Sequence, residues 1–418
     1  MSIALDEFGW EGLSIPEDLT TVCLSLPSVK DLKVLRSRQS FHGTDVYFPR
    51  KFFSLNGEKY MPAFIKEAPL AEGGYAKLFR GRRAIFKPID DKITGSVNLM
   101  KTEPFKPICI KTVPLQILPE EDLATPHTKT RTYDEEIRAI LYEAFLHALL
   151  YKTLQASGFE SAVPRMYDVV AVTKKNVDSH SPTDFDSIWI TMELIQGMTL
   201  EAFLRKALKP RALKENTRIL FDVCVQLAFY LHILQEKLRF NHRDLKINNI
   251  YVRHHEASEG WTKTLDIPHI GKWTCLNDIV LIDFGFSCIA CGSGFANPRA
   301  SLVMAGSWFR AEHDCLKYGR DISQFLYSVH CSFPLTDYVT PEFFSTIHDS
   351  LLADRNGFKI DLMNGFDVDG HPLIYTRPPK YLKFNDGIYI FLRDNAVDVP
   401  ECRPIRFLEH LAPFVATF

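Results

Sequence analysis

Asn241-His242-Arg243-Asp244-Leu245-Lys246-Ile247-Asn248-Asn249 runs directly into the apolar Ile250-Tyr251-Val252. A short polar run holding a lone carboxylate, two cations and several amides thus opens onto a strand-like segment. Further on, Leu281-Ile282-Asp283-Phe284-Gly285 has a related form, an apolar strand followed at once by an isolated acid. Either triplet alone arises by chance. The two in this order, each joined to a strand, make a pattern that chance explains poorly. The plain alternative is an Asp and two Asn satisfying turns, a common use of both residue types.

Upstream of these motifs the chain reads as strands. From Phe64 to about Val113, Lys77-Leu78-Phe79, Ala84-Ile85-Phe86 and Ile108-Cys109-Ile110 alternate with turn signals. Glu135 to Leu154 carries Ile137, Leu141, Phe145, Leu149 and Leu150 at helical spacing. Val169 to Val172 and Ile188 to Met192 read as two more strands. Beyond Gly197 the texture turns helical, with helices expected over Leu200–Leu208, Thr217–Glu236 and Ile322–Cys331. Strands first and helices after give an α+β class with a boundary near 193–198. Residues 113–134, 173–187 and 253–277 read as polar insertions. Residues 1–60 read as an extension without a catalytic pattern, and residues 335–418 are undiagnostic.

The 418 residues allow two or three folding units. With 46% apolar and 24% charged residues, wholesale disorder, a collagen repeat and a coiled coil are excluded. Lys plus Arg, 49, nearly balance Asp plus Glu, 51, so no nucleic-acid partner is expected. Nine scattered Cys do not form a disulfide framework. The apolar stretch Leu220–Leu238 is broken by Asp222, Gln226 and His232, which suits a buried helix rather than a membrane span. The start lacks the basic and apolar regions of a signal peptide. The expectation is a soluble, reduced, cytoplasmic or nuclear chain with no membrane partner.

Taken together, the two motifs resemble the catalytic loop and metal motif of the protein kinase superfamily. The insertions and the run after Asp283 look like divergent kinases of large DNA viruses and some fungi, which would imply host cytoplasm for a viral chain. The resemblance covers about residues 64–332. It implies a two-lobed α+β fold, with a five-stranded N-lobe carrying one helix over 61–195 and a mainly helical C-lobe over 196–418. By resemblance, Asp244 orients the attacking hydroxyl and accepts its proton, and Lys246 neutralises the γ-phosphate and marks the Ser/Thr-specific branch. Asn249 and Asp283 supply oxygen ligands for Mg²⁺ or Mn²⁺. Such residue types suit phosphoryl transfer, which asks the protein for positioning and charge neutralisation.

Other segments fall into the same order. Leu70 to Leu78 resembles the glycine-rich loop, implying nucleotide contacts from Ala71, Gly73, Gly74, Ala76 and Leu78. The first and third glycines are replaced by Ala71 and Ala76, which puts the phosphate grip in question. Ile108-Cys109-Ile110-Lys111 matches the strand whose Lys meets the α/β-phosphates. Glu135, Glu136 and Glu143 could each partner Lys111; Glu143, in mid-helix, is favoured. Met192 would be the gatekeeper, with the backbone of Glu193 and Ile195 meeting adenine. Asp321 resembles the buried acid that anchors the catalytic loop, a role compatible with helix capping.

Two departures bear on regulation and substrate. The A-P-E triplet is missing, with Ala311-Glu312 its nearest trace and Gly306-Ser307-Trp308-Phe309 a remnant of the substrate loop. Ser293 and Ser301 are the candidate phosphate acceptors for Arg243. Cys288 and Cys291 form a CxxC, half of a zinc site that Cys275, His313 or Cys315 would have to complete, or simply a pair of small apolar residues. The expected function is transfer of the γ-phosphate of Mg-ATP to a Ser/Thr hydroxyl of a protein substrate. Its rivals are a small-molecule phosphotransferase of the aminoglycoside or choline kinase type, and a pseudokinase scaffold.

Overall fold

Alternation along the strands sorts the apolar residues onto two faces, and each face finds its own partner. The computed structural model describes residues 33–41, 44–49, 53–55, 58–72, 76–88, 99–101, 106–115, 133–173, 184–255, 261–290, 302–304, 317–352 and 402–418. The first half is built from β1 (Lys33–Phe41), β2 (Thr44–Pro49), β3 (Phe53–Leu55), β4 (Glu58–Glu72), β5 (Lys77–Pro88), β6 (Leu99–Lys101) and β7 (Lys106–Pro114). Helix α1 (Tyr133–Ala156) follows, then β8 (Met166–Thr173) and β9 (Phe185–Glu193). These strands form one nine-stranded sheet in the order β3-β4-β2-β1-β8-β9-β7-β5-β6, with β4 also paired to β5.

That extra pairing closes the sheet on itself. Strands β4, β2, β1, β8, β9, β7 and β5 form a ring in which only β1–β8 is parallel. Leu35, Tyr47, Phe64, Ile108, Ile110, Val170 and Trp189 fill its interior, with Phe79 against them. Arg83 of β5 pairs with Asp168 of β8 at 2.8 Å, both side chains almost wholly buried. The alternate residues Val169, Ala171, Ile188 and Ile190 instead face α1, against Ile137, Leu141, Ala144 and Ala148. The five-stranded sheet expected from sequence is therefore too small. The stretch read as an extension supplies β1 and β2, whose backbone bonds join edges that would otherwise be open.

The second half is helical. β10 (Gly197–Thr199) leads to α2 (Leu200–Ala207) and α3 (Leu213–Leu238), then to β11 (Phe240–Asn241) and β12 (Ile250–Arg253). Thr199 caps α2 by accepting from the Ala202 N–H at 3.2 Å. Helix α3 is long and apolar enough to cross a membrane, yet it is mostly buried as the central core helix, touching α1 and the C-terminal segment. After β12 come β13 (Thr264–Ile267), β14 (Gly271–Thr274), β15 (Asp278–Leu281), β16 (Cys288–Ala290) and β17 (Leu302–Met304). Helices α4 (Arg320–Ser332), α5 (Leu335–Tyr338), α6 (Pro341–Leu352) and α7 (Pro404–Leu411) complete the described chain. The class is mixed α+β.

The insertion 253–277, read as polar, carries a folded hairpin. Leu265, Ile267, Ile270 and Trp273 bury themselves in the main core. Asp222 of α3 holds the hairpin's exit, accepting from Trp273 Nε1 at 2.8 Å and from the N–H groups of Leu276 and Asn277 at 3.0 Å each. Burial raises the Asp222 carboxyl above its usual value, against the lowering pull of those donors.

Candidate functional site

The loop 242–249 owes its shape to one buried acid. Asp321, in the first turn of α4 and 0% exposed, accepts from Asn241 Nδ2 at 3.0 Å, His242 N at 2.9 Å and Arg243 N at 2.9 Å. Arg243 sits at φ 65°, left-handed backbone that a side chain adopts at a cost of order 1–2 kcal/mol. Gln324 Nε2 donates to the Arg243 carbonyl at 3.1 Å, and Ser328 Oγ accepts from Ile247 N at 3.1 Å. Helix α4 thus pins the loop at both ends. Replacing Asp321 with Ala strands three buried donors. We expect a loss of about 3 kcal/mol or more in denaturant unfolding. A change within about 0.5 kcal/mol, the scale of an ordinary surface substitution, would show that the loop holds its shape without this acid.

On this loop Asp244 and Asn249 are almost buried. Asn249 Nδ2 donates to the Asp244 carbonyl at 2.8 Å and to Asp244 Oδ2 at 2.9 Å. Lys246 Nζ reaches Asp244 Oδ2 at 3.1 Å with a third of its side chain exposed. Because Asn249 uses its NH₂ group on Asp244, its Oδ1 is the atom left for a cation.

The second motif is tied to the first. Ile282 N donates to the Asn249 carbonyl at 3.1 Å, a main-chain bond between the two loops. A His242 ring nitrogen meets the Ile282 carbonyl at 3.0 Å, so a side chain joins them as well. Asp283 sits at φ 62°, a second left-handed side-chain-bearing residue at the same junction. Such strained positions gather where the surroundings over-determine them. Phe284 is buried between the rings of His147 and His242, at centroid distances of 5.1 and 5.4 Å. A Cβ on Gly285 would crowd Glu143 Oε2 at 3.3 Å and reach ordinary contact with Asp283 Oδ1 at 3.5 Å.

His147 supports this corner from α1. A ring nitrogen, Nε2, bonds the Pro164 carbonyl at 2.7 Å. Burial holds the imidazole down at about 4, against the opposing pull of that carbonyl. The unfolded chain therefore binds a proton near pH 6.5 that the folded chain takes up only near pH 4. Stability is full above about pH 6.5 and falls as pH drops through that window, by about 3 kcal/mol in all. Denaturant midpoints from about pH 7 to 4 should show the fall, and His147→Gln should lose most of it. An unchanged slope in the variant would assign the effect to other groups.

The sheet meets the loops through Lys111 of β7. Its Nζ lies 2.5 Å from Glu143 Oε1 on α1 and 2.9 Å from Asp283 Oδ1. Burial works against the Lys111 charge, but Asp283 and Glu143 outweigh it and hold the ammonium above its ordinary pKa. Lys111 in turn holds the Asp283 carboxyl down at about 2, outweighing its partial desolvation. That contribution to stability is present above the ordinary carboxylate range and is lost as pH falls toward about 2. Glu143 is pushed up by burial while Lys111 pulls it down. A proton on Glu143 would discard the 2.5 Å ion pair, so the ionised form is the one that fits the geometry.

The structure therefore gathers Lys111, Glu143, Asp283, Asn249, Asp244 and Lys246 at the junction of the sheet and the helical half. Leu78 pairs with Lys111 across β5 and β7, Ala71 pairs with Leu78, and Met192 pairs with Cys109 across β9 and β7. Ala76 is half-buried just before β5. Glu193 ends β9 and Ile195 lies in the link to β10; the Glu193 N–H donates to the Arg165 carbonyl at 2.7 Å, so a base could meet only its carbonyl. Gly73, Gly74, the Glu135 side chain, Ser293, Ser301, Ser307 and Ala311-Glu312 lie outside the described residues. So do Cys291, His313 and Cys315. Cys288 is disulfide-bonded, and Cys275 is a buried free thiol. A disulfide sulfur is not a thiolate ligand, so the zinc reading of Cys288 is withdrawn. Among the described residues no group of three or more His, Cys, Asp or Glu could hold a metal.

The donors at the junction do fit a magnesium nucleotide. Asp283 keeps 44% of its side chain exposed, and Asn249 offers an amide oxygen. Two hard oxygen donors suit Mg²⁺ when phosphates and water complete its shell. A further group, Arg253 between Glu193 and Asp278, leaves no mark in the local sequence because its ion pairs join separate segments. Compared with known proteins, the chain matches no family model and no curated sequence.

Proposed function

We propose that the chain is a two-lobed, kinase-like phosphotransferase that moves the γ-phosphate of Mg-ATP to a Ser/Thr hydroxyl of a protein. The observation that carries this reading is the Lys111 bridge, which joins Glu143 on the sheet side to Asp283 beside Asp244 and Asn249. Lys111 would neutralise nucleotide phosphates, Asn249 and Asp283 would hold the divalent cation, and Asp244 would orient the acceptor hydroxyl and take its proton. Lys246, beside Asp244, would offset charge on the transferred group. When bound, Mg²⁺ or Mn²⁺ would supply charge neutralisation between the phosphates.

A test offers labelled ATP and Mg²⁺ together with Ser/Thr-containing proteins, small alcohols and aminoglycosides. Label on protein hydroxyls supports the reading. Label only on small molecules favours the small-molecule phosphotransferase, and nucleotide binding without any transfer favours the scaffold.

A further inference from the structure

The two cation ligands sit at one end of a ladder whose other end is wired to the sheet. β12 leaves Asn249 and β15 enters Asp283, and the two strands pair from Ile250↔Leu281 to Arg253↔Asp278. On the sheet side, β7 and β9 pair with Lys111 opposite Ile190 and Ile108 opposite Glu193. Each ladder thus has a reacting end and a remote end. Lys111 and Asp283 close the reacting ends at 2.9 Å. Arg253 Nη1 and Glu193 Oε1 close the remote ends as an ion pair.

The remote pair is held from both sides. Glu193 Oε2 accepts from the Arg165 N–H at 3.2 Å. Arg253 Nε lies 3.4 Å from Asp278 Oδ2, a carboxylate 1% exposed. Lys263 at 2.7 Å, His255 at 3.1 Å and Ser161 at 3.2 Å surround the same carboxylate. Lys263 and His255 both belong to the insertion 253–277, so that segment supplies part of the clamp. The link itself has no slack: a Cβ on Gly197 would lie 2.2 Å from the Val252 carbonyl oxygen, and His254 N donates to the Gln196 carbonyl at 2.7 Å.

From this geometry we infer that Glu193, Arg253 and Asp278 form a strut of positioning residues that sets the spacing between Lys111 and the cation ligands Asn249 and Asp283. The inference rests on the phosphotransfer reading and extends it to side chains remote from the reacting atoms. With a magnesium nucleotide bound, Lys111 would serve the phosphates and Asp283 the cation, so their direct contact would be given up. Among the described residues, the Glu193–Arg253 ion pair would still tie the two ladders through side chains. Displacement of about an ångström at a reacting centre can cost on the order of a hundredfold in rate.

The test measures kcat and KM for Mg-ATP on the full chain, with thermal unfolding alongside. Glu193→Gln and Arg253→Met should each lower kcat roughly ten- to hundredfold, with KM changed about threefold or less. The double variant should be little worse than either single one, since both remove the same contact. Arg253→Lys, which keeps the charge but not the fork, should recover part of kcat. Lowered melting temperatures with unchanged kcat, or additive losses in the double variant, would overturn the strut and leave the phosphotransfer reading standing. Absence of transfer by the unaltered chain would overturn that reading, and the strut with it. Should Arg253→Met fail to fold, Glu193→Gln and Arg253→Lys decide the matter.

Discussion

Asp244→Asn should remove phosphotransfer and leave nucleotide binding close to that of the unaltered chain. Asp244 is 4% exposed, and its carboxylate is fixed by Asn249 Nδ2 at 2.9 Å and Lys246 Nζ at 3.1 Å. An asparagine has the same shape and can still accept from Asn249, so the loop should keep its path. What it loses is the basic oxygen that would take a hydroxyl proton. General-base catalysis is worth about 10²–10⁴ in rate, and the fall should be of that size. Parallel measurement of kcat and nucleotide affinity separates the outcomes. Unchanged turnover would remove Asp244 from the chemistry, whereas loss of affinity as well would point to a misfolded loop.

Lys111→Met should weaken both stability and turnover. Lys111 and Glu143 each keep only 14% of the side chain exposed, so the variant strands a carboxylate in a poorly hydrated place. It also leaves Glu143 facing Asp283 without the cation that separates their charges. Breaking a buried pair by removing one member costs about 3–5 kcal/mol. The lower end is expected, because water reaches the half-exposed Asp283 and screens its share. The Asp283 carboxyl should rise from its depressed value toward the ordinary range. Denaturant unfolding and kcat/KM for Mg-ATP check the two halves separately. A variant as stable and as active as the unaltered chain would mean that the bridge is incidental.

How much of this was visible in the sequence depends on the range of each interaction. The polar run ending at Asn249 and the acid at Asp283 were legible because each lies next to its own strand. Glu143 could be favoured over Glu135 and Glu136 because helical periodicity places it among Leu141, Ala144 and Phe145, all buried. The strands at 33–55 were not legible as part of the sheet. The pairing of β1 to β8 joins residues more than a hundred positions apart, and Lys33↔Val170 leaves no local trace. Nor was the hairpin in the insertion, whose buried Leu265, Ile267 and Trp273 alternate with polar residues over strands too short to stand alone. The ties of Asp278 to Lys263, His255 and Arg253 are side-chain geometry, set only once three segments have come together.

Calorimetric titration of a non-hydrolysable ATP analogue, with and without Mg²⁺, tests the proposed phosphotransfer site most directly. Lys111, Asn249 and Asp283 together should give binding that Mg²⁺ strengthens, and Asp283→Ala should abolish the metal dependence while the chain stays folded. Binding that ignores the metal, or no binding at millimolar analogue, would contradict the assignment of this junction as a magnesium-nucleotide site.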